Sequence, residues 1–182
     1  MDEIVKKALL KWPHVPDCWG WLGLDSRGNW WLRDEAAQAR GSFLQSRGIL
    51  LEHEKLRAFI ARNYEANAQG EWFFQNGPQR VYVELEAAPM VWRVDADGSV
   101  HGHTGQAVDV QPACWMDEGG HLYLQAHGVL GIVHSQDMVH AAARLEAGHW
   151  QVHEAPHALL AQQFGFVCSP QQAHAQRLGS SR

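Results

Sequence analysis

The stretch Trp19-Gly-Trp-Leu-Gly-Leu-Asp-Ser-Arg-Gly-Asn-Trp-Trp-Leu-Arg-Asp34 decides how the rest of the chain reads. Two aromatic-rich arms flank Asp25-Ser26-Arg27-Gly28, which opens with an acceptor side chain and closes with a glycine free to adopt positive φ. Strand, turn, strand is the expected local structure. The same unit recurs. Met90 to His103 turns at Asp95 to Gly98, and Ala113 to Leu124 turns at Asp117 to Gly120. A looser copy runs from Ala143 to His153 around Gly148. A further turn at Asn67 to Gly70 leads into Glu71-Trp-Phe-Phe74, and Asn76-Gly77-Pro78 separates that strand from Val81 to Glu86. The turn glycines are spaced too unevenly for a solenoid or a propeller.

The prediction is an α+β fold of antiparallel β-hairpin or meander repeats with a few packed helices. Helices are expected at residues 2 to 11, at Leu51 to Tyr64 with Leu56, Phe59, Ile60 and Tyr64 on one face, and near Ala155 to Phe164 with Leu159, Leu160 and Phe164 on one face. Gln136 to Ala143 reads as another short helix. The division expected is an N-terminal half at 1–87, a C-terminal β-rich half at 88–168, and a polar, flexible tail at 169–182.

A chain of 182 residues with 46% apolar content buries a genuine core. Residues 1 to 99 carry 12 Lys and Arg against 14 Asp and Glu, and the remainder carries 3 against 6, so no basic face invites nucleic acid or an anionic membrane. The N-terminal MDEIVKKALLKW lacks the pattern of a secretory signal, and no run approaches a membrane span. Three distant cysteines, Cys18, Cys114 and Cys168, fit a reduced, cytoplasmic chain. Exposed strand edges admit a homodimer.

His153-Glu-Ala-Pro-His157 fits the H-E-x-x-H pattern of zinc proteases, which needs both histidines on one helical face. Residues 149 to 153 alternate in strand period and Pro156 suits only the first turn of a helix, so a strand-to-helix corner is expected instead. No Asp or Glu follows Glu154 to supply a third ligand. Ten of the twelve histidines lie after residue 100. If the strands are neighbours, His101, His103, His121, His149, His153 and His157 could line one polar face and bind zinc or another transition metal, as a metal-binding protein or metal-dependent hydrolase would.

Other chemistry is sparse. Cys18 and Cys114 beside tryptophans read as packing rather than as nucleophiles, and Glu84 with Glu86 reads as a solvated strand face rather than an acid–base pair. Adjacent Trp30 and Trp31 must face opposite sides of a strand, so at least one of them is exposed or groove-lining and both are candidate ligand-binding aromatics. No catalytic residue and no cofactor is assigned. The leading expectation is a non-enzymatic binding or regulatory module for an unknown protein or small molecule.

The order of features also resembles a known group. Cys18-Trp19-Gly20, Arg27-Gly-Asn-Trp30, Gly70-Glu-Trp-Phe73 and Gln79-Arg-Val-Tyr-Val-Glu-Leu-Glu-Ala-Ala-Pro-Met90 are similar to segments of a bacterial family of unknown function built from tandem β-rich repeats. The resemblance covers residues 18 to 155, with an insert near Asp34 to Gly48 and with Gln79 and Ala87 where that family has acidic residues. It implies two β-rich halves, the second similar to a pleckstrin-homology-like barrel, and a role in signalling. It carries no catalytic residue across.

Overall fold

The hairpin turns are held by their first side chains. In the computed structural model, which describes residues 1 to 180, the Asp25 carboxylate accepts from the Asn29 backbone N–H, the Asn29 side-chain amide and the Trp31 indole. Asp117 accepts from the backbone N–H groups of Gly119 and His121 and from the Tyr123 hydroxyl. Asn67 accepts from the N–H groups of Gln69 and Glu71, and Asp95 from the Ser99 hydroxyl. In all four turns the first residue's own N–H reaches the carbonyl four positions on. The closing glycines, Gly28, Gly70, Gly98 and Gly120, have φ of 81°, 76°, 84° and 76°. A residue with a Cβ adopts that conformation only under strain.

In chain order the elements are α1 (Glu3–Lys11), β1 (Cys18–Leu24), β2 (Trp30–Leu32), α2 (Glu35–Ala39), β3 (Ile49–Leu50), α3 (Glu54–Arg62), β4 (Tyr64–Ala66), β5 (Trp72–Asn76) and β6 (Gln79–Leu85). There follow β7 (Met90–Val94), β8 (Val100–Gly102), β9 (Ala107–Val108), β10 (Val110–Met116), β11 (Leu122–Ala126) and β12 (Val129–Val133). The chain closes with α4 (Met138–Glu146), β13 (Gln151–Glu154), α5 (His157–Gln163) and α6 (Pro170–Gly179). No described helix is long and apolar enough to cross a membrane.

The chain divides into two units. The first comprises Met1–Asp25, Asn29–Glu86 and the chain from Phe166 onward. Its sheet runs β3-β2-β1-β6-β5-β4, antiparallel except for the parallel pair β1 and β6. Leu22, Leu24, Ile60, Phe73, Phe74 and Val83 are buried in it. Each large apolar side chain withdrawn from water contributes about 2 kcal/mol before the entropy of ordering is counted.

The second unit comprises Ser26–Gly28 and Ala87–Gly165. Its sheet runs β13-β10-β11-β12-β7-β8-β9, with β7 parallel to β12 and β10 parallel to β13. Trp92, Val94, Val100, Cys114, Leu122 and Leu124 form its core, and the Trp92 indole donates to the Leu124 carbonyl at 2.8 Å. Gly131 leaves the space that this indole occupies.

Six strands of the second sheet repeat the order and register of the first, with β13 added beyond β10. Leu24 opposes Trp30 and Leu22 opposes Leu32 in the first; Val94 opposes Val100 and Trp92 opposes Gly102 in the second. The parallel partners Leu22 and Val83 correspond to Trp92 and Val133, and the hairpin pair Gln75 and Arg80 to Gln125 and Leu130.

The α+β architecture and its short hairpins are as the sequence predicts, and three parallel pairings join those hairpins into sheets. Three local expectations change. Tyr64 begins β4 instead of extending α3, because Asn63 ends the helix with its side-chain amide on the Phe59 carbonyl. The looser hairpin around Gly148 is a helix followed by a strand, α4 and β13, because Ala141 turns into the core. Leu159 is exposed while Leu160 is buried, so α5 presents a narrower face than its leucines suggest.

Of the polar tail expected at 169–182, residues 181 and 182 lie outside the described residues, and the rest is ordered. Pro170–Gly179 forms α6, which packs against β1 and β6. Ser169 caps it by accepting from the Gln172 N–H, and Pro170 fits the first helical position. Buried Glu84 accepts from the Ser169 hydroxyl and from the Gln171 N–H, Arg177 pairs with Glu71 at 2.7 Å, and the His174 ring stacks on Trp19 at 3.7 Å. Polar partners hold this helix where an apolar stripe is missing.

Candidate functional site

The corner predicted at His153 to His157 is present. His153 lies in β13, Pro156 precedes α5, and His157 is the first residue of that helix. Its ring nitrogen Nε2 meets the Ala87 carbonyl at 2.6 Å, while the His153 ring lies 6.2 Å from Trp115. The pair cannot chelate as the protease motif does, because its residues do not share a helix.

The wider histidine row does not form a metal site either. His101 lies 3.3 Å from Asp95, His103 accepts from the Val91 N–H at 3.1 Å, and His121 bonds to Asp117 at 3.0 Å. These strands are not adjacent: β8 and β11 are separated by β7 and β12, and β13 stands beyond β10. Among the described residues no three His, Cys, Asp or Glu side chains are grouped to hold a metal ion. His149 borders a cavity of the second unit together with Asp109, short of the three side chains a metal site would need.

Trp30 and Trp31 face opposite sides, as their adjacency requires. Trp30 is only 3% exposed and meets Tyr64 edge-on, so it is core and offers no surface to a ligand. Trp31 is half-buried, with its indole bound to Asp25 and the Arg47 guanidinium 5.8 Å from its ring. Burial pushes the Cys114 thiol up to about 11 and the Cys168 thiol up to about 11, so both stay protonated and unreactive near neutrality. Glu84 and Glu86 do not work as a pair: Glu84 binds the start of α6 and Glu86 binds Arg47.

An apolar groove of about 350 Å³ opens in the first unit instead. Leu22, Phe74 and Val81 of the sheet and Leu56 and Ile60 of α3 line it, with Trp21 and Leu32 at 44% and 42% exposure. Asp34 and Asn76 supply the polar margin, and buried Arg33 adds to the lining. Trp21 is the exposed aromatic of this groove, and Phe74 the buried one. The alternation of Trp19, Trp21 and Leu22 around a β-bulge between Cys18 and Leu22 hides this, because the bulge shifts which residues share a face.

Arg33 is the buried residue that sequence reasoning misses. It is fully buried and gives its donors to three carbonyls: Nε to Ser46 at 2.9 Å, Nη1 to Gly20 at 3.2 Å and Nη2 to Gly41 at 2.6 Å. It thereby pins the segment between α2 and β3 to the end of β2.

These observations define a class: an α+β protein of hairpin sheets bearing an apolar groove, with no metal-ligand group among the described residues. A family model matches residues 1–177, so the chain belongs to that family, DUF2944, described as "Protein of unknown function (DUF2946)". Among curated proteins none matches. Two solved structures of DUF1285 family proteins are similar. That from Silicibacter pomeroyi DSS-3 is 10% identical, with 69% of this chain and 68% of that chain covered and a TM-score of 0.48. That from Shewanella baltica OS155 is 14% identical, with 72% and 97% covered and a TM-score of 0.49.

Proposed function

We propose that the chain is a non-catalytic binding module of a regulatory kind, whose ligand places an apolar group in the groove of the first unit. The groove itself carries this reading. Its volume falls in the range of small-molecule sites, its walls are mostly aliphatic and aromatic, and a few polar groups at the margin could orient what enters. The common strand order and register of the two units support reading the chain as tandem copies of one β-rich design, with the groove developed in the first copy. A cytoplasmic setting suits its unpaired cysteines.

The test is a screen of small aromatic and aliphatic fragments by amide NMR on the full chain. Binding through the groove shifts the resonances of Leu22, Leu56 and Ile60 together, and Leu32→Lys at the exposed rim weakens it without unfolding the protein. A screen in which no fragment moves those resonances would sink the proposal.

A further inference from the structure

The second unit holds its own cavity, of about 320 Å³. Three segments converge on it: the β7–β8 turn at Gly98 and Ser99, the corner from β9 to β10, and the end of α4 with the following Trp150. Val100, Val108, Val110 and Trp150 supply the apolar part of a lining that Ser99, Asp109, Arg144 and His149 make largely polar. The Arg144 Nε is buried and, among the described residues, meets no acceptor. Asp97 feels the Arg144 charge only as the last of the influences that lower its pKa.

Room for this guanidinium is provided by Gly98. A Cβ at that position would come within 2.8 Å of Nη1. Nε is closed off from the cavity, so a ligand meets this guanidinium through its outer nitrogens, and the partner that best suits them is a planar oxyanion presenting two oxygens. We propose that this cavity binds a small organic carboxylate, with the carboxylate on Arg144 and an apolar body against Val100, Val108, Val110 and Trp150. Asp109, exposed at the margin, repels further negative charge, so a monoanion is preferred to phosphate. His149 borders the opening and is exposed. The site is independent of the groove in the first unit, and either reading can fail alone.

The experiment follows amide resonances of the full chain during titration with sodium benzoate, with benzamide and with inorganic phosphate, at constant ionic strength. Benzoate is expected to saturate shifts at Gly98, Val110 and Trp150, with benzamide and phosphate each weaker by about tenfold or more. Arg144→Gln should weaken benzoate by about tenfold or more, and Arg144→Lys, which keeps the charge but loses the fork, should fall between. Dispersion of the amide spectrum reports whether each variant is folded. If Arg144→Gln unfolds, Arg144→Lys and the contrast between benzoate and benzamide still decide. Preference for phosphate, equal binding of benzamide, or undiminished benzoate affinity in a folded Arg144→Gln protein would each overturn the assignment. Benzoate shifts confined to Leu22, Leu56 and Ile60 would overturn it too, while leaving the groove as a site.

Discussion

Arg33 shows how a charged side chain can be a structural pin. In sequence it sits in Leu-Arg-Asp at the end of a strand and reads as surface charge, because the carbonyls of Gly20, Gly41 and Ser46 converge on it only after folding. Arg33→Met keeps much of its bulk and leaves those three buried bonds unmade. We expect a loss of about 3 kcal/mol in urea unfolding, and a loss below about 1 kcal/mol would show that water replaces the guanidinium. Glu84 gives a prediction with a sign. Burial raises its pKa above the ordinary 4.5, against smaller lowering effects from its bonds to Ser169 and Gln171 and from the charge of Arg33. A carboxyl whose folded pKa lies above its unfolded one binds more protons in the native state between those two values. Its contribution is therefore present below the unfolded pKa and is lost as pH rises through the folded pKa. Stability of Glu84→Gln minus that of the parent should thus increase as pH rises from 4.5 through this window, and parallel curves would contradict the assignment. Asp137, whose pKa the Arg93 hydrogen bond lowers, acts in the opposite sense, losing its contribution as pH falls below 3.8.

The hairpin is the element that sequence discloses best, because its turn is built from residues adjacent in the chain. Asp117 at the start and Gly120 at the end satisfy the turn locally, whatever the rest of the sheet does. Gly120→Ala meets no atom within 4 Å, so its cost is the backbone strain of φ at 76°, about 1 kcal/mol. Asp117→Ala removes acceptors for Gly119, His121 and Tyr123 together and should cost about 2 kcal/mol. Thermal unfolding of the two variants should therefore rank Asp117→Ala below Gly120→Ala, and the reverse order would mean that backbone conformation, not the side-chain acceptor, fixes the turn. What local chemistry cannot disclose is which hairpins become neighbours. The parallel pairs β1 with β6 and β7 with β12 join strands far apart in the chain, and nothing in either strand alone marks its partner. The candidate site suffered for the same reason. Trp21 was hidden by a bulge, and the histidines could be placed on faces but not on neighbouring strands.

At the scale of the whole molecule, the return of the chain to its first unit after Gly165 is the least legible feature, since the segment that returns is polar and has no apolar stripe. Its attachments run through charge and stacking: Glu84 at the start of α6, Glu71 near its end and the Trp19 ring between them. Both glutamates are buried carboxylates, Glu84 within β6 and Glu71 just before β5. Deleting α6 by stopping the chain after Val167 would strip Glu84 of the Ser169 and Gln171 donors and leave Glu71 with the Asn67 amide but not Arg177, and a buried carboxylate that loses its donors is far more costly than an exposed one. The deletion should therefore act on the first unit selectively. Hydrogen exchange followed by mass spectrometry should show faster exchange in β1 and β6, while β11 and β12, whose core of Trp92, Leu122 and Leu124 draws nothing from α6, keep their protection. Removing the charges as well, by Glu71→Gln and Glu84→Gln in the shortened chain, should restore part of the protection in β6, because the neutral amides do not carry the same penalty for burial. Uniform loss across both units on deletion would show that the second unit depends on the helix after all. Unchanged exchange in β1 and β6 would show that α6 lies on the sheet without supporting it.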